Sequence, residues 1–164
     1  MTYGGKIFDL VAYSDADWAS NPHDRKSISG NAYLLGGAVI GWLSKKQSVT
    51  ANSTCDAEYV SAASCARHVN WLRNLFYCLG HPFTVPTPIY CDNQAAISLT
   101  KNFQFHSKSK HIDIHHHYIR DKVSDGSVTV SYVPSNENLA DVLTKGLPRL
   151  KHEKFSRELG LIPA

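Results

Sequence analysis

No run of apolar residues in this 164-residue chain approaches the length needed to cross a membrane. The opening residues, MTYGGKIFDL, lack the basic stretch and long apolar core of a secretory signal, so no signal peptide is expected. The four cysteines, Cys55, Cys65, Cys78 and Cys91, contain no CxxC pair, and each sits in an apolar or helical context. That argues against a cysteine-built zinc site and predicts reduced, mostly buried thiols in a cytosolic protein. Pro/Gly-rich linkers, internal repeats and low-complexity stretches are also missing. Neither sign of charge dominates: 17 Lys and Arg stand against 14 Asp and Glu, a formal net charge of +3 with nine histidines neutral. So mild a balance permits a polyanionic partner without demanding one. What remains is a globular composition, 43% hydrophobic and 19% charged, at a length that suits one domain with a real core.

Ile7 to Tyr13 reads as a strand, and the polar, turn-rich residues 20–30 as a loop. Asn31–Leu35 and Val39–Leu43 read as two more strands. Gly36-Gly37 between them is a hairpin signal, because glycine accepts positive φ. A long helix is expected from Ser53 or Thr54 to about Leu79. Ser53-Thr54 supply its N-cap, and Asp56 in its first turn suits the helix dipole. Tyr59, Ala62, Ala66, Val69, Leu72 and Phe76 recur at helical spacing, and Gly80 and Pro82 stop it. Thr87–Asn93 gives a short strand ending in an aspartate, and NQAAISLTK a helix. Lys110–Val123 gives a further helix, and Ser127–Val133 a strand with alternating apolar residues. Ser135 then caps a helix carrying Asn138, Leu139, Asp141, Val142 and Leu143. The order βββ-α-β-α-α-β-α predicts a single α/β domain across residues 1–164, with its core over about 7–161. Its mixed sheet is an antiparallel meander extended by two strands through helical crossovers.

Four carboxylates fall at informative places: Asp15 at the end of the first strand, Glu58 one turn into the long helix, Asp92 ending the fourth strand, and Asp141 in the last helix. Ligands in α/β folds gather at strand ends, and a helix packed there can add a side chain. Four converging acids repel one another unless a cation compensates them, and oxygen-only donors suit magnesium or manganese. Each acid also has a plainer role. Asp15 can start a turn, Glu58 can be a solvated helix residue, Asp92 with Asn93 can cap the next helix, and Asp141 can pair with Lys145 at i+4. Asp15 and Asp17 lie on the same side of an extended strand, which raises the question of which one binds metal.

The segments YSDADWAS, STCDAEYVSAA, IYCDNQAAI, KHIDIHHHYIRDKV and YVPSNENLADVLTK, in this order, resemble the ribonuclease H domain of copia-type LTR retrotransposons. The likeness runs from about Leu10 to Leu161. It implies a ribonuclease H-like fold with a five-stranded mixed sheet. It also implies an Asp-Glu-Asp-Asp set, here Asp15, Glu58, Asp92 and Asp141, holding two Mg2+ ions for which Mn2+ substitutes. Asp15 in YSDAD is then the ligand, and Asp17 a supporting group. The implied activity is cleavage of the RNA strand of RNA–DNA hybrids during reverse transcription, leaving 5′-phosphate and 3′-hydroxyl ends. Asn52, Ser53 and Thr54 before the catalytic helix, with Asn93 and Gln94 after Asp92, are the implied contacts to the hybrid's minor groove, with helix capping as their plainer role. The implied partner is the reverse transcriptase domain of the same Pol polyprotein. The isolated domain is expected to be a monomer without membrane contact, acting in cytoplasmic virus-like particles. The chain's end after LGLIPA is expected to coincide with the end of Pol, and Met1 to be an excision boundary.

The pattern departs from many relatives in two respects. They carry a histidine in a loop before the last aspartate, whereas YVPSNENLAD has none. Relatives also often have a Glu near Asp56, which here reads as a first-turn residue and not a ligand. His111 and His115 are at i, i+4, a zinc-capable spacing, but no nearby Cys or Glu completes a site. A helix face presenting Lys108, Lys110, His111 and Arg120 to phosphates is the other functional option, beside a partly packed, partly solvated helix. Lys45-Lys46-Gln47 and Lys101 are expected on loops near the catalytic edge. Trp18, Trp42 and Trp71 are expected to pack in the core or on the sheet, with the active-site rim as a second option for Trp18. The rival to a nuclease is a catalytically weak or inactive hybrid-binding module that partners reverse transcriptase. A zinc nuclease built on the histidine helix is the remote third.

Overall fold

A computed structural model of the chain describes residues 9–20, 23–101 and 118–161. The expected order of elements is found, around a sheet of five strands: β1 (Leu10–Asp17), β2 (Ile28–Leu35), β3 (Ala38–Lys46), β4 (Thr87–Cys91) and β5 (Val128–Tyr132). Their order across the sheet is β3-β2-β1-β4-β5. The first three form an antiparallel meander, whereas β4 and β5 run parallel to β1. The β2–β3 turn is made by Gly36 and Gly37 at φ 57° and 82°, the positive values a tight two-residue hairpin requires.

Helix α1 (Thr54–Cys78) crosses one face together with α2 (Gln94–Lys101) and α3 (Tyr118–Ser124). Ser53 caps α1 by accepting from the Asp56 N–H at 3.1 Å. Its apolar stripe, including Tyr59, Ala62, Ala66 and Val69, meets Leu10, Ala12, Ile89 and Val130 of the sheet in one buried cluster. The opposite face is covered by a 3-10 turn (Leu139–Leu143) and helix α4 (Arg149–Glu158), whose Phe155 joins Ala32, Leu34 and Val39 in a second cluster. Among the described residues no helix is long and apolar enough to cross a membrane.

Several local expectations are corrected. Asp15 lies inside β1, paired with Gly30, and residues 28–30 belong to a strand instead of a loop. Lys45 and Lys46 end β3, and Gln47 is buried, donating to the Ser29 hydroxyl and the Ala57 carbonyl at 2.9 Å each. The LADVL segment is 3-10, not α, and its cap is Asn138, whose Oδ1 accepts from the Ala140 N–H. Helix α4 was not expected, because RLKHEKFSRE lacks an apolar stripe and buries only Phe155. Trp18, Trp42 and Trp71 are 45%, 69% and 55% exposed, so none is a core residue. They decorate the surface, with Trp18 tied by its indole N–H to the Ala51 carbonyl. Arg120 is buried, donating to the Leu99 carbonyl at 2.9 Å over the Tyr59 ring, which removes it from any phosphate-contacting face. Lys108, Lys110, His111 and His115 lie outside the described residues.

Candidate active site

The parallel pairing of β1 with β4, Ala12 opposite Ile89 and Tyr13 opposite Tyr90, brings Asp15 and Asp92 to the same end of two neighbouring central strands. Glu58, in the second turn of α1, reaches that end from one face and accepts the Ala16 N–H at 3.1 Å. Asp141 reaches it from the other face on the 3-10 turn. Two buried hydrogen bonds lock that turn to the strand. Asn138 Nδ2 donates to the Ser14 carbonyl at 2.9 Å, and Thr144 Oγ1 donates to Asp15 Oδ2 at 2.5 Å. Beneath them the Ser61 hydroxyl of α1 donates to the Asp15 carbonyl at 2.8 Å.

Gly30 makes this approach possible. A Cβ at that position would stand 2.7 Å from Thr144 Cγ2 and 2.8 Å from the Ala140 carbonyl oxygen, so only glycine lets the turn carrying Asp141 close over Asp15.

The four carboxylates are brought together in unequal electrostatic states. Burial, reinforced by the charges of Asp92 and Asp141, pushes Asp15 up to about 6, against the pull of the Thr144 hydrogen bond. Burial and the charges of Asp15 and Asp92 push Glu58 up to about 9. Burial also works to raise Asp141, but two ammonium groups outweigh it and hold this carboxyl below the ordinary range. Lys145 Nζ stands 2.6 Å from Oδ1, and Lys151 Nζ of α4 stands 2.5 Å from Oδ2. Asp92 is half-buried and accepts from the Ser135 hydroxyl at 2.6 Å. The i+4 pairing of Asp141 with Lys145 is therefore realised, alongside its place in the cluster.

A ligating oxygen of Glu58, one of Asp92 and the Cys91 sulfur lie within 4.8 Å of one another. Cys91 is a poor ligand there. Burial beside Glu58 drives its thiol pKa far up, and it donates to Glu58 Oε2 at 3.8 Å. The donors that remain are hard oxygens with excess negative charge, which fits Mg2+ or Mn2+ better than a thiophilic metal.

Of the residues expected to touch a hybrid, Asn52, Thr54 and Gln94 are exposed beside the cluster's two helix N-termini. Ser53 and Asn93 act as caps, Asn93 Oδ1 accepting from the Ala96 N–H at 3.0 Å. His111 falls outside the described residues. Sequence reasoning missed Gly30, Thr144, Ser135 and Lys151. For Lys151 no local signal existed, since its partner lies ten positions away on a different element.

A mixed five-stranded sheet of this order, with acids at the ends of its central strands and on elements from both faces, defines a ribonuclease H-like fold. Solved structures agree. LC11 ribonuclease H1 in complex with an RNA/DNA hybrid superposes with a TM-score of 0.55 at 15% identity, over 83% of this chain and 94% of that one. The N-terminal ribonuclease H domain of a Mycobacterium tuberculosis protein gives 0.53 at 15% identity, over 92% and 98%. The protease-reverse transcriptase of prototype foamy virus gives 0.53 at 11%, over 90% of this chain and 22% of that one. No family model matches the chain. It is 42% identical over 158 residues to the retrovirus-related Pol polyprotein from transposon RE2 of Arabidopsis thaliana, with 96% of this chain covered. It is 39% identical over 161 residues to that from transposon TNT 1-94 of Nicotiana tabacum, with 98% covered. The chain belongs to the copia-type retrotransposon Pol family as its ribonuclease H-fold region. It spans only 11% and 12% of the length of those two relatives.

Proposed function

We propose that this domain is a divalent-metal-dependent endoribonuclease that cleaves the RNA strand of RNA–DNA hybrids, with Asp15, Glu58, Asp92 and Asp141 as its metal ligands. The observation that carries this reading is the convergence of four acids from four elements, two of them held at raised pKa by burial and each other's charge. Such repulsion is relieved when a cation is bound, so the site is built for a charge it does not itself contain. Mg2+ ions bound there would activate the attacking water and neutralise charge on the scissile phosphate.

The chain's own residues supply position. Thr144 orients the Asp15 carboxylate, the Ala16 N–H orients Glu58, and Ser135 orients Asp92. Because each of these carboxylates is already held by a hydrogen bond, the Asp15 one fully buried, the cluster needs little rearrangement when the substrate arrives. Asn52, Thr54, Gln94 and the amide of Asn93 stand at helix N-termini, where short polar groups can test for 2′-hydroxyls across a shallow minor groove. Cleavage would leave 5′-phosphate and 3′-hydroxyl ends. Reverse transcriptase from the same polyprotein is the proposed partner, with the cytoplasmic virus-like particle as the setting.

The hybrid-binding module remains the second reading, because both oxygens of Asp141 are engaged by lysines. The deciding experiment is cleavage of a labelled RNA–DNA hybrid with Mg2+ or Mn2+, wild type against Asp92→Asn. Loss of cleavage in the variant is expected. A wild type that binds hybrid but never cuts it would establish the binding module instead.

A further inference from the structure

Of the two ammonium groups that engage Asp141, Lys145 is the more exposed. Its Nζ stands 2.6 Å from Oδ1 of Asp141, a side chain only 4% exposed. It directly follows Thr144, whose hydroxyl donates to Asp15 Oδ2, and the negative charges of Asp15 and Asp17 act on it as well. Lys151 is held differently. Its Nζ takes the other Asp141 oxygen, lies 3.5 Å from the Ser135 carbonyl and sits over the Phe155 ring, on a helix anchored by that buried phenylalanine. Lys145 follows the 3-10 turn and is nearly half exposed, so it can swing out with little loss of packing.

We propose that Lys145 is a resident counter-ion that fills the Asp15–Asp141 gap in the ion-free protein, must leave when a divalent ion enters, and then moves to Asp17. Lys151 stays on the far oxygen of Asp141 and holds that carboxylate in place. Asp17 thereby gains a task that its position on β1, two residues from Asp15, would otherwise leave unexplained. It receives the displaced ammonium and is a positioning residue, not a metal ligand. A ligand pair neutralised by an internal cation stays folded without metal, and binding then costs about the strength of one ion pair.

This inference rests on the metal-ligand reading of the four acids. It is tested by calorimetric titration of the chain with Mn2+, without nucleic acid, for wild type, Lys145→Met, Asp17→Asn and the double variant. Lys145→Gln serves as a second variant if the methionine form does not fold. Removing Lys145 is expected to tighten Mn2+ binding roughly five- to tenfold. Asp17→Asn is expected to weaken it roughly threefold in the wild type, and to lose most of that effect when Lys145 is absent. Unchanged or weaker binding in Lys145→Met, or an equal Asp17→Asn effect in both backgrounds, overturns the exchange while leaving the metal site standing. Failure of the wild type itself to bind Mn2+ overturns both.

Discussion

At the scale of single residues, burial separates groups that look alike in the sequence. Asp15 and Asp17 are two positions apart on one strand face, yet Asp15 is 4% exposed and locked by Thr144, whereas Asp17 is only partly buried. Asp15→Asn is accordingly expected to abolish hybrid cleavage, and Asp17→Asn to weaken it by less than tenfold, read from single-turnover rates. Equal losses would show that the work is shared. Glu58 poses the opposite test. Its carboxyl is pushed up to about 9, so at neutral pH the ion-free fold is better off with a neutral group there. Glu58→Gln is expected to remove cleavage yet raise ion-free stability at pH 7 by on the order of 1–2 kcal/mol, measured by denaturant melts. A destabilised variant would mean that the Ala16 and Cys91 contacts to Glu58 outweigh the repulsion.

At the scale of elements, the decisive contact is between β2 and the 3-10 turn. The turn reaches Asp15 only because Gly30 presents no side chain to Thr144 and the Ala140 carbonyl. Gly30→Ala is expected to cost about 1–3 kcal/mol through overpacking, and to lower cleavage beyond what the stability loss explains, because Asp141 is moved away from Asp15. Thermal melting and activity measured on the same preparation check this. The sequence placed the strands, the β2–β3 hairpin and α1 well, since alternation, paired glycines and an N-cap are local signals. Gly30 was read as loop because its reason for being glycine lies 110 residues further along the chain. Helix α4 escaped notice because a helix that buries one phenylalanine has no apolar period to detect.

At the scale of the whole molecule, the site exists only where both layers close on the sheet: α1 brings Glu58 from one side, and the 3-10 turn with α4 brings Asp141 and Lys151 from the other. Phe155→Ala is expected to destabilise the fold by about 3–5 kcal/mol, as for other buried aromatics, and to release Lys151 from Asp141. The cluster also sets the pH behaviour. Asp15 rises from 3.8 to about 6 on folding and Glu58 from 4.5 to about 9. Between roughly pH 4 and pH 9 the folded chain therefore binds more protons at these groups than the unfolded chain, so ion-free stability falls as pH rises through that window. Asp141, held low, acts in the other sense and loses its stabilising effect as pH falls below the ordinary carboxylate range. With the proposed ligand set, metal binding would displace the protons on Asp15 and Glu58, so Mn2+ should raise the melting temperature more at about pH 8 than at about pH 5.5, with proton release visible in calorimetry across two buffers. A stabilisation independent of pH would show that these carboxyls are already ionised without metal.

By itself, the sequence determined the order of the strands and of the first three helices, the mixed sheet and the four acids that are candidate ligands, because strand alternation, helical spacing and short motifs are written over a few neighbouring residues. It could not determine how those acids are balanced. Whether a carboxylate is solvated, repelled or paired depends on groups that meet it only after folding: Thr144 on Asp15, Ser135 on Asp92, and Lys145 and Lys151 on Asp141. The tertiary structure decided that balance because electrostatic interactions depend on separation in space and on burial, and neither follows from separation along the chain.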